Sequence, residues 1–295
     1  MSIEASIVAD SISPYGDRLT TFKLRYPKFI HGELMTHRVF SRNASSSRAV
    51  PTAKLLEEVR TDSLRASFVW WGKNEPGMSA TTELEGVELT AAQYQWHQAA
   101  LNAADSAEKM MSIGVHKQLV NRLLEPFSHI NVIVSSTEYM NFFGLRLDKG
   151  AQPEMRHLAL IMWMHYNNSQ PIARMGGYGT EDVEQWHLPF VNEDDDIMPV
   201  SQAIKVSTAR CARVSYESFE TGKRSTVEED LKLYDRLVGS HPVHASPAEH
   251  QAIPDVQDEE GRWRLKRLHG NFNGWLQNRK FIRGENMAPL PKDVT

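Results

Sequence analysis

The 295-residue sequence has almost no cysteine, no long apolar run and no excess of basic residues. Cys211 is the only cysteine, so an intrachain disulfide is impossible and the disulfide framework of a small secreted protein is excluded. The longest apolar stretch, 158–163, is far shorter than the ~18–20 residues that a membrane-spanning helix needs. The first residues carry Glu4 and no basic segment typical of a signal peptide. We therefore predict no membrane partner and a cytoplasmic location.

The charge balance disfavours duplex nucleic acid as a partner. Lys and Arg number 33 against 37 Asp and Glu, which gives a formal net charge of −4. Proteins that bind duplexes more often carry a basic excess. A small anionic substrate held by a few local arginines remains compatible. The proportions of apolar and charged residues are ordinary for a globular protein, so we expect a buried core.

The apolar patterning predicts an irregular mixture of helices and strands. Period-two alternation predicts a half-buried strand at 20–26, a short buried strand is predicted at 130–134, and a third is expected near 262–268. Helical spacing predicts helices at 28–38, at 90–124, after Thr137, at 154–166, from a capping box at 225–228, and at 271–283. Residues 41–51 have no period and are predicted to form a loop. Such an order favours the α+β class over an alternating doubly wound fold.

The densest polar cluster lies at 37–48, where three arginines, one histidine and four serines follow a predicted helix. Guanidinium groups and hydroxyls are the donors that a phosphate or pyrophosphate requires. An ordinary solvated loop is the alternative. A second segment, 141–146, carries Asn141 and Arg146, which are five residues apart and share only part of a helix face. Taken alone, Arg146 is equally well explained as a surface arginine.

Two further segments contain potential metal ligands, but their sequence context argues against a metal site. Residues 241–250 hold three histidines and Glu249, but their spacing fits no established zinc pattern, and two prolines interrupt any regular element. The acidic run 193–196 lies in a loop-rich stretch and is more typical of a solvated linker. We therefore predict no metal site.

Together these segments resemble the motifs of the flavin-dependent thymidylate synthases. The defining motif of that family is Arg-His-Arg, seven residues, then Ser. His37 and Arg38 match it, with Ser46 eight residues after Arg38 and then Arg48. Three other blocks of the sequence resemble blocks of the family: 141–146 with 151–152, 212–216, and 244–250.

The sequence departs from the family pattern in two respects. Thr36 stands where the first Arg of the motif is expected, and Glu33 stands where a Gln is expected. The blocks at 212–216 and 244–250 follow the motif, whereas in the common form they precede it. The resemblance therefore implies a circularly permuted version of the family's α+β fold, a mostly antiparallel or mixed sheet flanked by helices. We expect one domain over 1–295, with insertions near 52–88 and 168–200.

The resemblance implies a specific reaction and assembly. The reaction is FAD-dependent reductive methylation of uracil C5, from dUMP to dTMP, with 5,10-methylenetetrahydrofolate as carbon donor and NADPH as reductant. The alternatives are a UMP C5-methylase and a non-catalytic protein that binds flavin or nucleotide. The family's active sites are shared between subunits, so a homotetramer is expected. No cysteine nucleophile is needed, and Cys211 is predicted to be a small buried residue.

The resemblance also implies roles for individual residues. Arg146 is the implied catalytic residue, which would stabilise negative charge on the pyrimidine oxygens. The implied nucleotide ligands are Ser46, Ser47, Arg48, Arg122, Asn141 and Arg146. The implied cofactor ligands are His37, Arg38, Val39, Asn43, Ser215, His244, Ser246 and Glu249. We further hypothesise that Gln277 or Arg279 supplies the contact missing at Glu33 and Thr36; the alternative is a solvated Arg279.

Overall fold

The structure is a computed structural model that describes residues 3–62, 70–192, 195, 197–214 and 225–286. A five-stranded sheet in the order β3-β4-β2-β1-β5 forms its centre. Its strands are β1 (Glu4–Ile12), β2 (Arg18–Pro27), β3 (Ser41–Ala44), β4 (His129–Ser136) and β5 (Ile172–Ala173). Only the β1–β5 pair is parallel; the other three pairs are antiparallel. The predicted α+β class with a mixed, mostly antiparallel sheet is confirmed.

The strands β2 and β4 form where the sequence predicts them. Phe22, Leu24 and Tyr26 are fully buried on one face of β2, as the period-two pattern requires. They pack in one cluster with Val132 and Val134 of β4 and with apolar side chains of the helices at Met140–Arg146 and Pro153–Asn168. Each such side chain contributes on the order of 1.5–3 kcal/mol by leaving water.

The helices surround this sheet. They are α1 (His31–Leu34), α2 (Thr52–Asp62), α3 (Gly86–Ser112), α4 (Lys117–Val120), α5 (Met140–Arg146), α6 (Pro153–Asn168), α7 (Val200–Ala212) and α8 (Val227–Leu237). The helix predicted at 28–38 is shorter, with a 3-10 turn at Lys28–Ile30 before α1. The helix predicted at 90–124 ends early, because Gly114 adopts φ +85° and its N–H donates back to Met111. No helix in the described part of the chain is long and apolar enough to cross a membrane.

Two predictions for the C-terminal third are wrong. The helix predicted at 271–283 is instead β7 (Trp275–Gln277) followed by a 3-10 turn at Asn278–Phe281. Gly274, at φ +71°, turns the chain into β7, which pairs antiparallel with β6 (Ala252–Pro254) in a two-stranded sheet. The strand predicted near 262–268 is reduced to one isolated bridge and a 3-10 turn.

The segment 41–51 is also not a loop throughout. Residues 41–44 form β3 at the edge of the sheet, where Ser41 pairs with Ser135 and Ala44 with Val132. Backbone hydrogen bonds to β4 hold this short polar strand in place. It needs no apolar period, and the sequence pattern therefore did not reveal it. The strand places the middle of the polar cluster 37–48 at the edge of the sheet.

The acidic run at 193–196 is not simply a solvated linker. Asp195 leaves only 7% of its side-chain surface exposed and forms an ion pair of 2.8 Å with Arg210 of α7. Arg210 also contacts Asp230 of α8, so the three residues brace the two helices. Glu193, Asp194 and Asp196 lie outside the described residues. The capping box of α8 forms one residue later than predicted, between Thr226 and Glu229.

Candidate functional site

A cavity of about 520 Å³ lies between the edge of the central sheet and the small sheet. Six basic side chains line it: Arg38, Arg42, Lys266, Arg267, Arg279 and Lys280. Glu249 is the only acidic residue among its lining residues. Such an excess of positive charge in one concave site favours an anion with more than one negative charge. We call it the basic cavity.

The edge strand and the small sheet build the wall of the basic cavity together. Gln277 of β7 places its side-chain Nε2 3.1 Å from the hydroxyl of Ser41 and 3.1 Å from the carbonyl of Glu249. Gly270 is needed opposite this amide, because it has φ +62° and a Cβ there would lie 2.3 Å from Gln277 Oε1. The contact between Gln277 and Ser41 joins segments 236 residues apart in sequence.

Arg279 points into the basic cavity. It forms ion pairs with Glu249 and, at 2.5 Å, with Glu285, and 26% of its side chain is exposed. The alternative of a fully solvated Arg279 is therefore disfavoured. The basic cavity is lined by four of the residues predicted from sequence: Arg38, Glu249, Gln277 and Arg279. Thr36 is not among its lining residues.

Arg146, at the end of α5, is held by Glu33 of α1 and by the turn that follows α1. Its Nε donates to His37 Nε2 at 3.0 Å, and its Nη1 donates to Glu33 Oε2 at 3.0 Å. Its Nη2 lies 3.2 Å from the carbonyl oxygen of Glu33 and 3.1 Å from Thr36 Oγ1. Both departures from the family motif, Glu33 and Thr36, thus contact the predicted catalytic arginine.

His37 is buried between this cluster and the aromatic core. Its ring lies against Phe40 and Phe142, with centroid distances of 5.6 and 4.9 Å. Burial, followed by the nearby charges of Arg146 and Arg42, lowers the pKa of His37. The neutral ring can accept the hydrogen bond from Arg146, and a protonated ring could not. The neutral His37 ring therefore orients Arg146.

A third group of predicted residues meets at Glu125. The Glu125 Oε1 atom accepts from Ser47 Oγ at 2.6 Å, from Arg122 Nη1 at 2.8 Å and from Lys28 Nζ at 2.5 Å. Burial alone would raise the pKa of Glu125, but the contacts to Lys28 and Ser47 outweigh burial and lower it. Sequence reasoning did not identify Lys28 or Glu125, since isolated charges in no motif give no signal.

A buried asparagine holds the loop that carries Ser46, Ser47 and Arg48. Asn121 Nδ2 donates to the carbonyl oxygen of Ser47 at 2.6 Å and to that of Val50 at 3.1 Å. Arg48 is exposed and makes no ion pair with any described residue. Ser46 is half-buried, so the loop presents a hydroxyl and a guanidinium towards solvent.

The other predicted ligands are less closely assembled. Asn141 is exposed on the first turn of α5, and Asn43 pairs with Ile133 inside β3. Val39 accepts a hydrogen bond at its carbonyl oxygen from Asn271 of the cavity wall. His244 and Ser246 are exposed. Ser215 lies outside the described residues.

His250 anchors the short helix that carries Glu249. It is fully buried, and its Nδ1 lies 2.8 Å from Ser135 Oγ, which in turn contacts Thr21. Burial lowers the pKa of His250 to about 3, so the ring is neutral. Within the described ranges, no three His, Cys, Asp or Glu side chains converge in a way that could hold a metal ion.

Cys211 lies inside α7 and has no exposed surface. Burial raises the pKa of its thiol, which disfavours the reactive thiolate. The prediction that it is a small buried residue is confirmed. No solvent-exposed nucleophilic sulfur is therefore offered by this position.

This α+β protein thus carries basic groups at three places: the basic cavity, Arg146 with its contacts, and the Ser46–Arg48 loop. The chain belongs to the thymidylate synthase complementing protein family, because the sequence model of that family matches residues 13–172, more than half of the chain. This confirms the resemblance to flavin-dependent thymidylate synthases. Membership supports a nucleotide C5-methyltransferase. The match includes Arg146 and the Ser46–Arg48 loop but not the small sheet.

Two solved structures are similar to part of the chain. One is the UMP/dUMP methylase PolB from Streptomyces cacaoi bound with 5-Br UMP, at 17% identity and a TM-score of 0.45, covering 56% of this chain and 88% of that one. The other is the same protein bound with 5-Br dUMP, at 16% identity and a TM-score of 0.43, covering 56% and 89%. No curated protein sequence matches the chain significantly. The permuted order of the motif blocks stays a prediction.

Proposed function

We propose that the chain is an FAD-dependent methylase that converts dUMP to dTMP. The carbon comes from 5,10-methylenetetrahydrofolate, and two electrons from NADPH reduce the transferred methylene to a methyl group. The products are dTMP, tetrahydrofolate and NADP⁺. The observation that carries the proposal is the position of Arg146, which lies inside the family match and is held by His37 of the family motif and by Glu33.

The basic cavity has the donor set that FAD requires. A flavin dinucleotide carries a diphosphate, and guanidinium and ammonium groups are its usual partners. Arg38, Arg42 and Arg279 would hold the diphosphate. The Gln277 amide already bonds to Ser41 and to the Glu249 carbonyl oxygen, so it would hold the wall in place. FAD, when bound, supplies the hydride chemistry that side chains lack. The role of the chain is to position it and to neutralise its charge.

Arg146 would act on the pyrimidine. As C5 becomes nucleophilic, negative charge develops on the ring oxygens, and a positioned guanidinium stabilises it. His37 keeps that guanidinium oriented through Nε. A guanidinium oriented in this way stabilises the developing charge without turning during the reaction.

The nucleotide phosphate would bind at the Ser46–Arg48 loop. Ser46, Ser47, Arg48 and Arg122 supply hydroxyls and guanidinium groups. Glu125 places one negative charge there, but Lys28, Arg48 and Arg122 outnumber it by three to one. Because Arg48 and Asn141 are exposed, a second copy of the chain could complete this site, in keeping with the expected homotetramer.

One assay tests the proposal. Purified protein is incubated with NADPH, methylenetetrahydrofolate and either dUMP or UMP, and the 5-methylated product is measured. We expect a yellow protein that methylates dUMP; product from UMP alone would instead assign the ribonucleotide activity. A yellow protein that binds nucleotide without turnover under any of these conditions would indicate a non-catalytic flavin-binding homologue.

A further inference from the structure

Almost all the donors of Arg146 are occupied by its own chain. A guanidinium has five N–H donors. One points to His37, one to the Glu33 carboxylate, and two to the Glu33 carbonyl and Thr36 hydroxyl oxygens. Among the described residues a single Nη1–H is left over. A base that binds Arg146 through two hydrogen bonds must therefore displace one of these acceptors.

The Glu33 carboxylate is the acceptor that can leave most easily. Its side chain is 36% exposed, so water can solvate the carboxylate once it moves. The other acceptors are less free. Thr36 Oγ1 donates to the Glu33 carbonyl at 2.7 Å, which fixes both atoms, and His37 is buried. Ion pairs exposed to this degree are weak and are readily exchanged.

Glu33 also changes the charge beside Arg146. The family pattern has a neutral glutamine at this position, whereas here a carboxylate faces the guanidinium. A carboxylate is a stronger acceptor than a neutral carbonyl oxygen. A neutral pyrimidine oxygen therefore competes poorly with Glu33, but an oxygen that has gained negative charge competes on equal terms.

We propose that the Glu33 carboxylate competes with the nucleotide base for the hydrogen-bond donors of Arg146. It is a positioning residue, and the inference rests on the proposed role of Arg146. Glu33 weakens the binding of Arg146 to the neutral base more than it weakens the binding of Arg146 to the negatively charged transition state. Differences of this kind separate KM from kcat, since only interactions that strengthen in the transition state raise the rate.

Binding titrations test this directly. Wild-type protein, Glu33→Gln and the matched control Glu181→Gln, an exposed glutamate, are titrated with dUMP and with 2-deoxyribose 5-phosphate, which has no base. We expect Glu33→Gln to tighten dUMP binding by about threefold, as for removal of one exposed ion pair. The base-free probe should bind as before, and the control should change neither ligand. In turnover, KM for dUMP should fall more than kcat/KM changes.

The sign of the effect decides the role. If Glu33→Gln and Glu33→Ala leave dUMP binding unchanged or weaken it while the melting temperature is kept, Glu33 merely anchors Arg146 and the proposal is wrong. Failure of the proposed function looks different. In that case wild-type protein would bind dUMP no better than the base-free probe, and Arg146→Ala would bind dUMP as wild type does.

Discussion

Glu249 and Arg279 form an ion pair that joins the short helix before β6 to the turn after β7. Both residues line the basic cavity, so the pair neutralises one of its six positive charges internally. Glu285 pairs with Lys280 at 2.8 Å as well as with Arg279, so the other four cations are the ones without an ion pair to a described residue. Arg279 therefore stabilises the wall, and in the proposed function it would also contact the ligand.

Arg279→Ala should weaken flavin binding. The substitution removes a guanidinium from the basic cavity and leaves the Glu249 carboxylate without this partner, so an anion meets less attraction and more repulsion. A charge-assisted hydrogen bond contributes ~1.5–3 kcal/mol, so the dissociation constant of FAD should rise by roughly tenfold or more. Flavin fluorescence quenching measures it.

The control for this variant is Arg262→Ala, whose side chain is 73% exposed and outside the basic cavity. It removes the same charge and should leave flavin binding intact. Equal FAD affinity in Arg279→Ala and wild type would refute the assignment. The structure also bears on Thr36→Arg: because Thr36 contacts Arg146, a new guanidinium there would meet a like charge and should not rescue Arg279→Ala.

Arg146→Ala should nearly abolish methyl transfer in a folded, yellow protein. Loss of one preorganised charge donor typically lowers the rate by ~10²–10³. Single-turnover formation of dTMP measures the step, and the flavin spectrum with the melting temperature verifies the fold. Activity within a few-fold of wild type would remove Arg146 from the proposed chemistry.

Arg48→Ala should weaken nucleotide binding more than flavin binding. Arg48 is exposed on the loop with Ser46 and Ser47, and loss of one guanidinium–phosphate contact should raise the dissociation constant of dUMP by roughly tenfold. Isothermal titration measures both ligands. Arg60→Ala is the matched control, because Arg60 pairs with Asp105 and Glu108 on the surface. An unchanged dUMP titration in Arg48→Ala would exclude this loop as the phosphate site.

The sequence predicted the central elements better than the small sheet. Strand β2 was predictable from alternation, β4 from a short apolar segment and the start of α6 from Pro153, because all three are local signals. Strand β7 was not, because its three residues are all buried and carry no period. Its identity depends on pairing with β6, a contact that local patterns do not contain.

The same distinction applies to the candidate site. Arg38, Glu249 and Arg279 were found through motif resemblance, and the fold brings them to one cavity. Lys266 and Arg267 line that cavity too, yet lone basic residues in a loop resemble any solvated surface. Only the turn at Gly270, set against Gln277, shows that this loop closes the wall.

Cys211→Ala should retain substantial activity. The thiol is fully buried in α7 and its pKa is raised by burial, so it is not available as a nucleophile. The small loss of buried volume should lower the free energy of unfolding by about 1 kcal/mol. Turnover and denaturant unfolding are measured together. A stable but inactive Cys211→Ala protein would restore cysteine chemistry to consideration.

Acid should destabilise the protein partly through His250. Burial lowers its folded-state pKa to about 3, whereas an unfolded histidine titrates near ~6.5. Between these two pKa values, the His250 ring binds a proton in the unfolded chain but not in the folded chain. The stability contributed by the neutral ring is fully present above about pH 6.5 and is lost progressively as the pH falls towards 3.

Denaturant unfolding measured from pH 7 to pH 4 checks this. One such histidine should add a slope of about 1.4 kcal/mol per pH unit within the window. His250→Gln should unfold more easily at pH 7, because the ring contact to Ser135 is lost, but its stability should fall less steeply with acid. His165→Gln, at an exposed position of α6, should keep the wild-type slope. An undiminished slope in His250→Gln would show that His250 does not titrate in this manner, and that the acid response arises from other groups.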